Sequence, residues 1–421
     1  MIKTPLQALA TTTPHQAFTA DVHFLGEVNA LTVMELIRVL GPISRAELAR
    51  QTLLKPAALS GLVRYLLQEG LVIECEETRS GSQGGRPARL LRMNAASKTI
   101  LGIDFEPDHL RVALTDLGGA ILNYRQLAVD RNHTPDEAFR LVESMVREMG
   151  GHRHQLAGVG VSCAGLLDQE RGILLGSTNL PKWKNVPIRE EIEKRFKAPT
   201  IVGRSIHQAA WSEHWFRDRD DHGKTLLITL RTGIGFALVD NGVVYNGSQQ
   251  FDGELGHTLI DLDGPLCECG RRGCLESFIS PASITRRIRE KMARGTGREL
   301  EFLVASDREA DPEMVYRMAK EGNATCMEIV KDLVYYLAIG IGNLVNLLNP
   351  NRVVLCGAIE MVNEDLLCSL RRELERHCLP HSWKALEIRL SRHAERSALM
   401  GAAMQAAQHH ITSIIRNQPS G

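Results

Sequence analysis

Residues 251–277 read FDGELGHTLIDLDGPLCECGRRGCLES, and four side chains in this stretch set the reading of the chain around it. His257 is followed by Cys267, Cys269 and Cys274, so one imidazole and three thiols fall within eighteen residues. Three thiolates and an imidazole complete a tetrahedral zinc site with no open position, the structural rather than the catalytic arrangement. Gly264, Gly270 and Gly273 lie where a backbone wrapping tightly around an ion needs conformational freedom. Nine cysteines is an odd number, and in a reducing compartment three of them in eight residues suggest metal before disulfides. The expectation is one structural Zn2+ per chain; the alternative is a cluster of free buried thiols beside an unrelated histidine. Cys75, Cys163, Cys326, Cys356, Cys368 and Cys378 are expected to be small buried side chains rather than redox centres.

On both sides of this stretch, short apolar runs end in small or acidic residues. Leu101 to Asp104, Val112 to Asp116, Ala157 to Ser162, Thr225 to Leu230 and Arg352 to Gly357 read as strands, with Leu117 to Ala120 as a hairpin turn. Helical patterns alternate with them, which argues for α/β architecture with ligand loops at strand ends. The most apolar stretch, Leu333 to Leu348, holds Asn343 and Asn346 and is shorter than the ~20 residues a bilayer needs, so it reads as a buried helix.

The first ninety-odd residues have a different texture. Val33, Leu36, Ile37 and Leu40 line one face of a helix stopped by Gly41-Pro42. Ser44 with Glu47 fits a capping box opening a short helix from about Arg45 to Gln51. After a turn at Thr52 to Leu54, Pro56 starts a third helix with Leu59, Leu62, Val63 and Leu66 on one face, ending near Gly70. Leu71 to Ile73 and Leu90 to Met93 then read as strands flanking a glycine-rich tip, Ser80 to Gly85. This is the pattern of a winged helix-turn-helix, whose third helix enters the major groove by its N-terminal end. From Arg79 to Arg92 there are four arginines and no acidic residue, a charge that suits phosphates or a narrow minor groove. Candidate DNA contacts are Lys55, Ser60 and Arg64 on the third helix and Arg79, Arg86 and Arg89 around the tip. The solvent-facing positions of the third helix are Lys55, Ala57, Ala58, Ser60, Gly61 and Arg64, so bidentate readers of bases are scarce on it, and the arginine arm and DNA deformability are expected to carry more of the discrimination. A protein-interaction module with a stiff hairpin exit at Gly85-Arg86-Pro87 is the competing reading.

The 421 residues suggest two to four domains. Fifty Lys+Arg against fifty Asp+Glu leave no net charge, which excludes a globally basic nucleic-acid coat but not a local one. The opening MIKTPLQALATTTPHQAF lacks the features of a secretory signal, so a cytoplasmic protein without membrane association is expected.

Glu254-Leu-Gly-His257 followed by Cys267-Glu-Cys-Gly-Arg-Arg-Gly-Cys274-Leu-Glu276 resembles the signature of the ROK family of sugar kinases and sugar-responsive repressors. The similarity runs from about Val28 and includes Asn179 to Trp183 and Arg396 to Ala403. The winged helix places the chain nearest the glucose and N-acetylglucosamine repressor branch. The resemblance implies a two-lobed actin-like ATPase (ribonuclease H-like) fold with sugar in a cleft. By it the chain divides into an arm over 1–27, a candidate disordered stretch; a winged helix-turn-helix over 28–97; a first α/β lobe over 98–207 completed by the C-terminal helix 396–421; and a second lobe over 208–395 with the zinc site. It also implies that Glu254, His257 and Glu276 contact sugar hydroxyls, with Asn179 as a further effector-binding residue. One nitrogen of His257 would then bind zinc and the other face the sugar. For Glu276 a capping or surface carboxylate is the alternative.

Departures from the kinase pattern are equally informative. Kinases of the family follow a strand with Asp-x-Gly-Gly-Thr, whereas here Asp104 leads into Phe105-Glu106-Pro107-Asp108, without glycines and with one N–H donor fewer. The kinase Asn-Asp pair aligns with Arg204-Ser205, and serine cannot replace the carboxylate base. Arg231 stands before Thr232-Gly-Ile-Gly235 where glycine is usual. Phosphoryl transfer is not expected. Arg204 either adds a cation to the sugar site, favouring a sugar phosphate or uronic acid, or pairs with a neighbouring carboxylate. The reading is a non-enzymatic regulator, a repressor of carbohydrate uptake or catabolism genes. It would bind a pseudo-palindromic operator in double-stranded DNA as a homodimer or homotetramer and leave it when a sugar-type effector binds. Control by a protein partner from sugar transport, with a vestigial sugar site, is the alternative; a sugar kinase stands third.

Overall fold

The computed structural model describes residues 22–77, 89–150, 155–177, 179–217, 223–230, 233–248, 252–305, 309–357 and 363–417. The chain divides into two compact units, one comprising residues up to 221 together with those from 398 onward, the other residues 222–397.

The first unit opens with α1 (Val22–Leu40), β1 (Ile43–Ser44), α2 (Arg45–Thr52), α3 (Pro56–Gln68), β2 (Val72–Glu77) and β3 (Arg89–Met93). The strands form a sheet in the order β1-β3-β2, so the wing has a third, two-residue strand beyond the expected pair. Helix α1 begins at Val22, inside the segment read as an arm. Pro56 occupies the first turn of α3, where no N–H is missed. The Ser44 side chain accepts from the Glu47 N–H at 3.2 Å, but the Glu47 carboxylate turns to Arg50 and Gln51 rather than completing a capping box. Ser44→Ala should therefore lower stability by about 1 kcal/mol, read as a shifted urea midpoint.

The body of this unit contains β4 (Thr99–Phe105), β5 (His109–Asp116), β6 (Ile121–Ala128), α4 (Pro135–Glu148), β7 (Leu156–Cys163), β8 (Leu166–Asp168), β9 (Ile173–Gly176), β10 (Lys184–Val186), α5 (Ile188–Phe196), β11 (Thr200–Arg204) and α6 (Ser205–Trp215). Its sheet runs β11-β7-β4-β5-β6. Strand β5 pairs antiparallel with β4 and β6 antiparallel with β5, whereas β7 pairs parallel with β4 and β11 parallel with β7. The near-continuous apolar residues of β4 and β5 suit strands covered on both faces.

The second unit contains β12 (Lys224–Leu230), β13 (Ile234–Asp240), β14 (Val243–Val244), α7 (Glu276–Ile279), α8 (Pro281–Ala293), α9 (Glu301–Val304), α10 (Pro312–Lys320), α11 (Ala324–Leu348), β15 (Arg352–Gly357), α12 (Glu364–His377), α13 (Pro380–Lys384) and β16 (Glu387–Leu390). Its sheet order, β14-β13-β12-β15-β16, repeats the plan of the first: two successive antiparallel pairings on one side of β12 and two parallel pairings on the other. The buried helix expected over Leu333 to Leu348 is the latter part of α11, packed on this sheet with α12.

The last helix, α14 (Ser397–Arg416), returns to the first unit. It can lie against the sheet because residue 160 is glycine: a Cβ there would stand 1.8 Å from the Ala402 carbonyl oxygen. Met404, Ala407, Ile411 and Ile415 of α14 share one apolar core with Val33, Ile37, Leu59, Val63, Leu66 and Leu91 of the winged module and with Leu117 and Trp215. The expected boundary at 97/98 is therefore no break in packing, and the one at 207/208 cuts α6. Cys368 is exposed and Cys75 half-buried, against the expectation that both are buried; the other four are buried. No helix among the described residues is long and apolar enough to cross a membrane.

Candidate functional site

The loop carrying the cysteines is held by two isolated β-bridges, Leu259 with Cys274 and Leu266 with Arg272. Gly273 makes the fold-back possible: its φ is +73°, and a Cβ would stand 1.5 Å from the Asp261 carbonyl oxygen. The ligand atoms of His257, Cys267, Cys269 and Cys274 all lie within 4.8 Å of one another. His257 Nδ1 is 3.7 Å from Cys267 Sγ, and Cys269 Sγ is 3.6 Å from Cys274 Sγ. Thiolates on one tetrahedral ion, with bonds of about 2.3 Å, stand about 3.8 Å apart. The cluster can thus hold a metal ion. Burial raises the Cys267 thiol and pushes Cys274 up to about 12, whereas the backbone N–H and guanidinium of Arg271 bring exposed Cys269 down to about 6. A coordinated divalent cation reverses the preference of the buried pair, because a bound thiol gives up its proton.

The 3-10 turn Leu255–His257 places His257 beside the start of α7, where Glu276 sits. Glu276 Oε2 accepts from the Ile234 N–H at 3.3 Å. Gly256 leaves room for this carboxylate, since a Cβ there would approach Oε2 to 2.5 Å. Burial raises the Glu276 carboxyl, and the Ile234 N–H and His257 offset part of that rise; Glu254, exposed, adds to it. Glu254, His257 and Glu276 therefore share one locality, with acceptors suited to hydroxyl donors. The backbone partner at Ile234 went unread in the sequence because a main-chain donor leaves no residue-type signal.

The other two candidate effector contacts belong to the first unit. Asn179 lies on the turn before β10, anchored by buried Leu180 and by Trp183, whose ring packs on Phe105 at 5.1 Å between centroids and edge-on to His133 at 5.6 Å. Arg204 ends β11 and is 8% exposed. It lies opposite Cys163 in the β7 register. Burial pushes that thiol up to about 12, with Asp104 and Glu106 reinforcing the shift and Arg204 opposing it. Asp104 and Glu106 are both buried, and Phe105 between them faces Cys163 from the other side of β7 to Arg204.

On the winged module, Lys55, Ser60 and Arg64 are exposed along α3. Arg89 is exposed but donates to Glu74 at 2.7 Å, a carboxylate shared with Arg45 at 2.9 Å. That anchoring went unseen in the sequence because it joins three elements. Arg79 and Arg86 lie outside the described residues, as does the glycine-rich tip.

Two units on the same five-stranded plan, with a winged helix-turn-helix in the first and a Cys3His cluster in the second, define an actin-like ATPase fold carrying a winged helix-turn-helix module. Residues 100–409 match the ROK family, and the chain belongs to it. It is 27% identical over 381 residues to the xylose repressor of Caldicellulosiruptor bescii, covering 90% of this chain and 94% of that one. The glucokinase of Thermotoga maritima is 29% identical over 306 residues, 72% of this chain and 96% of the kinase. Among solved structures, a ROK family transcriptional regulator, homolog of the E. coli MLC protein, superposes with a TM-score of 0.77 at 26% identity, covering 94% of this chain and 98% of that one.

Proposed function

We propose that the chain is a sugar-responsive transcriptional regulator, a repressor of carbohydrate genes, that binds operator DNA through the winged module as a homo-oligomer and is released by a sugar-type effector. The observation that carries this reading is α3, whose N-terminal half presents an exposed face while Leu59, Val63 and Leu66 fix its other face in the core. Its likeness over 90% of the chain to a protein named a repressor supports it. The candidate effector contacts are Glu254, His257 and Glu276 on the one hand and Asn179 and Arg204 on the other. Zinc is the metal that fits three thiolates and an imidazole. Bound there, it would supply rigidity, fixing the ring of His257 for recognition.

Phosphoryl transfer does not fit the strand end at Asp104. The Glu106 N–H is spent on the His109 carbonyl at 3.0 Å, Pro107 has none, and the Glu106 carboxylate is buried there, so neither position offers phosphate a backbone donor.

Fluorescence anisotropy with zinc-loaded protein and a duplex from its own upstream region, at one fixed salt concentration, tests the reading. Binding at least a hundredfold tighter than to a scrambled duplex is expected, with release by one member of a panel of sugars and sugar phosphates. Equal affinity for both duplexes would sink it. Specific binding that no sugar reverses would move control to a protein partner.

A further inference from the structure

Helix α6 begins at Ser205, immediately after Arg204, and ends against α1 of the winged module. The junction at its far end is polar and largely enclosed. Arg38 of α1 donates to the Trp215 carbonyl at 2.6 Å, and its guanidinium lies 4.2 Å from the Trp215 ring centroid. Glu35 of α1 accepts from Arg38 through both oxygens at 2.8 Å and from Arg217 at 2.7 Å. Arg217 in turn donates to the His214 carbonyl at 2.8 Å. Burial alone would raise the Glu35 carboxyl, but Arg38 and Arg217 hold it well below the usual carboxylate range. Burial and Arg217 drive His214 down to about 3, so its ring stays neutral beside the guanidinium.

We propose that α6 is the element coupling the effector contact at Arg204 to the DNA-binding module, with Glu35, Arg38, Trp215 and Arg217 as its joint to α1. The inference rests on the effector role given above to Arg204. Eleven residues of helix separate the two ends, about 16 Å at 1.5 Å per residue. The rod is stiff because it is enclosed: His207, Gln208, Ser212 and Glu213 are buried along with its apolar residues. Its middle is fixed to α14, where a Cβ on Gly401 would stand 1.5 Å from the Gln208 carbonyl oxygen and Gln208 donates to Gln405 at 2.6 Å. Helix α14 reaches the recognition helix directly, accepting from the Tyr65 hydroxyl at the Ile414 carbonyl, 2.7 Å. A displacement of α6 therefore arrives at α1 through charge-assisted hydrogen bonds, which are directional and break discretely, and at α3 through α14. Glu35 and Arg217 act as positioning residues, touching neither effector nor DNA.

Hydrogen exchange of α1 amides in the full-length protein tests this without knowledge of the effector. Arg204→Ala, with Arg204→Lys as the milder variant should alanine disturb folding, serves as the perturbation at one end. In the native background it should change α1 exchange at least tenfold; in an Arg217→Gln background less than twofold relative to that variant alone, with Arg217→Lys restoring the response. Equal responses in both backgrounds, or none in the native one, would overturn the proposal. DNA binding by the unmodified protein is measured on the same preparation. Its failure would refute the regulator reading while leaving the exchange result readable.

Discussion

Replacing Cys274 by serine is expected to lower the metal content from one ion per chain to less than a tenth and to destabilise the second unit by about 4 kcal/mol. The size of the effect follows from what else holds the loop. Leu259, Leu262 and Leu266 are 53%, 80% and 64% exposed, so apolar burial contributes little there. The loop is nevertheless joined to the core at once: Leu275, fully buried, fills the space left by Gly340 on α11, and its N–H donates to the Thr258 carbonyl at 2.9 Å. Loss of the ion thus loosens a side chain that packs on the long helix of the unit. Metal analysis and thermal melts with and without a chelator check this, and a metal-free variant melting with the native protein would refute it. Acidification should act in the same direction, since protons compete with the ion for thiolates and imidazole.

Gly160→Val is expected to cost about 3 kcal/mol or more, measured by the urea midpoint, because the added side chain meets main chain rather than a flexible neighbour. The Ala402 carbonyl can withdraw only if α14 lifts from the sheet. That helix supplies part of the winged module's core, so DNA affinity should fall together with stability. Gly176→Ala is the control: a Cβ there meets nothing within 4 Å, and a change below about 0.5 kcal/mol is expected. If the two variants unfolded at the same urea concentration, the close approach of α14 would be of no energetic consequence.

Legibility in the sequence followed the range of the forces concerned. Strand β15 was readable residue for residue, and α2 and α3 nearly so, because apolar periodicity, a cap at Ser44 and a first-turn proline are local signals. The Cys3His cluster was legible because ligand type and spacing nearly define such a centre. The first turns of α1 were missed, since Gly26 interrupts the apolar pattern there. Strand β6 was missed because its ILNYRQLA is exposed along almost its whole length and shows no alternation. Least legible was the joint at α1: Arg38 and Trp215 stand 177 positions apart, and nothing near either residue announces the other. For the same reason the winged module read as a separate domain, although its core is completed by a helix at the other end of the sequence.

That completion has a consequence for how the protein is made. When the ribosome has finished the winged module and the five-stranded sheet of the first unit, their shared core still lacks α14, and residues 222–397 must be synthesised before it emerges. The second unit carries its own sheet and core and can fold during this interval, while the first waits with an apolar face uncovered. A nascent chain is therefore without a finished winged module until α14 docks, and a message cut short in the second unit would yield no partly active protein.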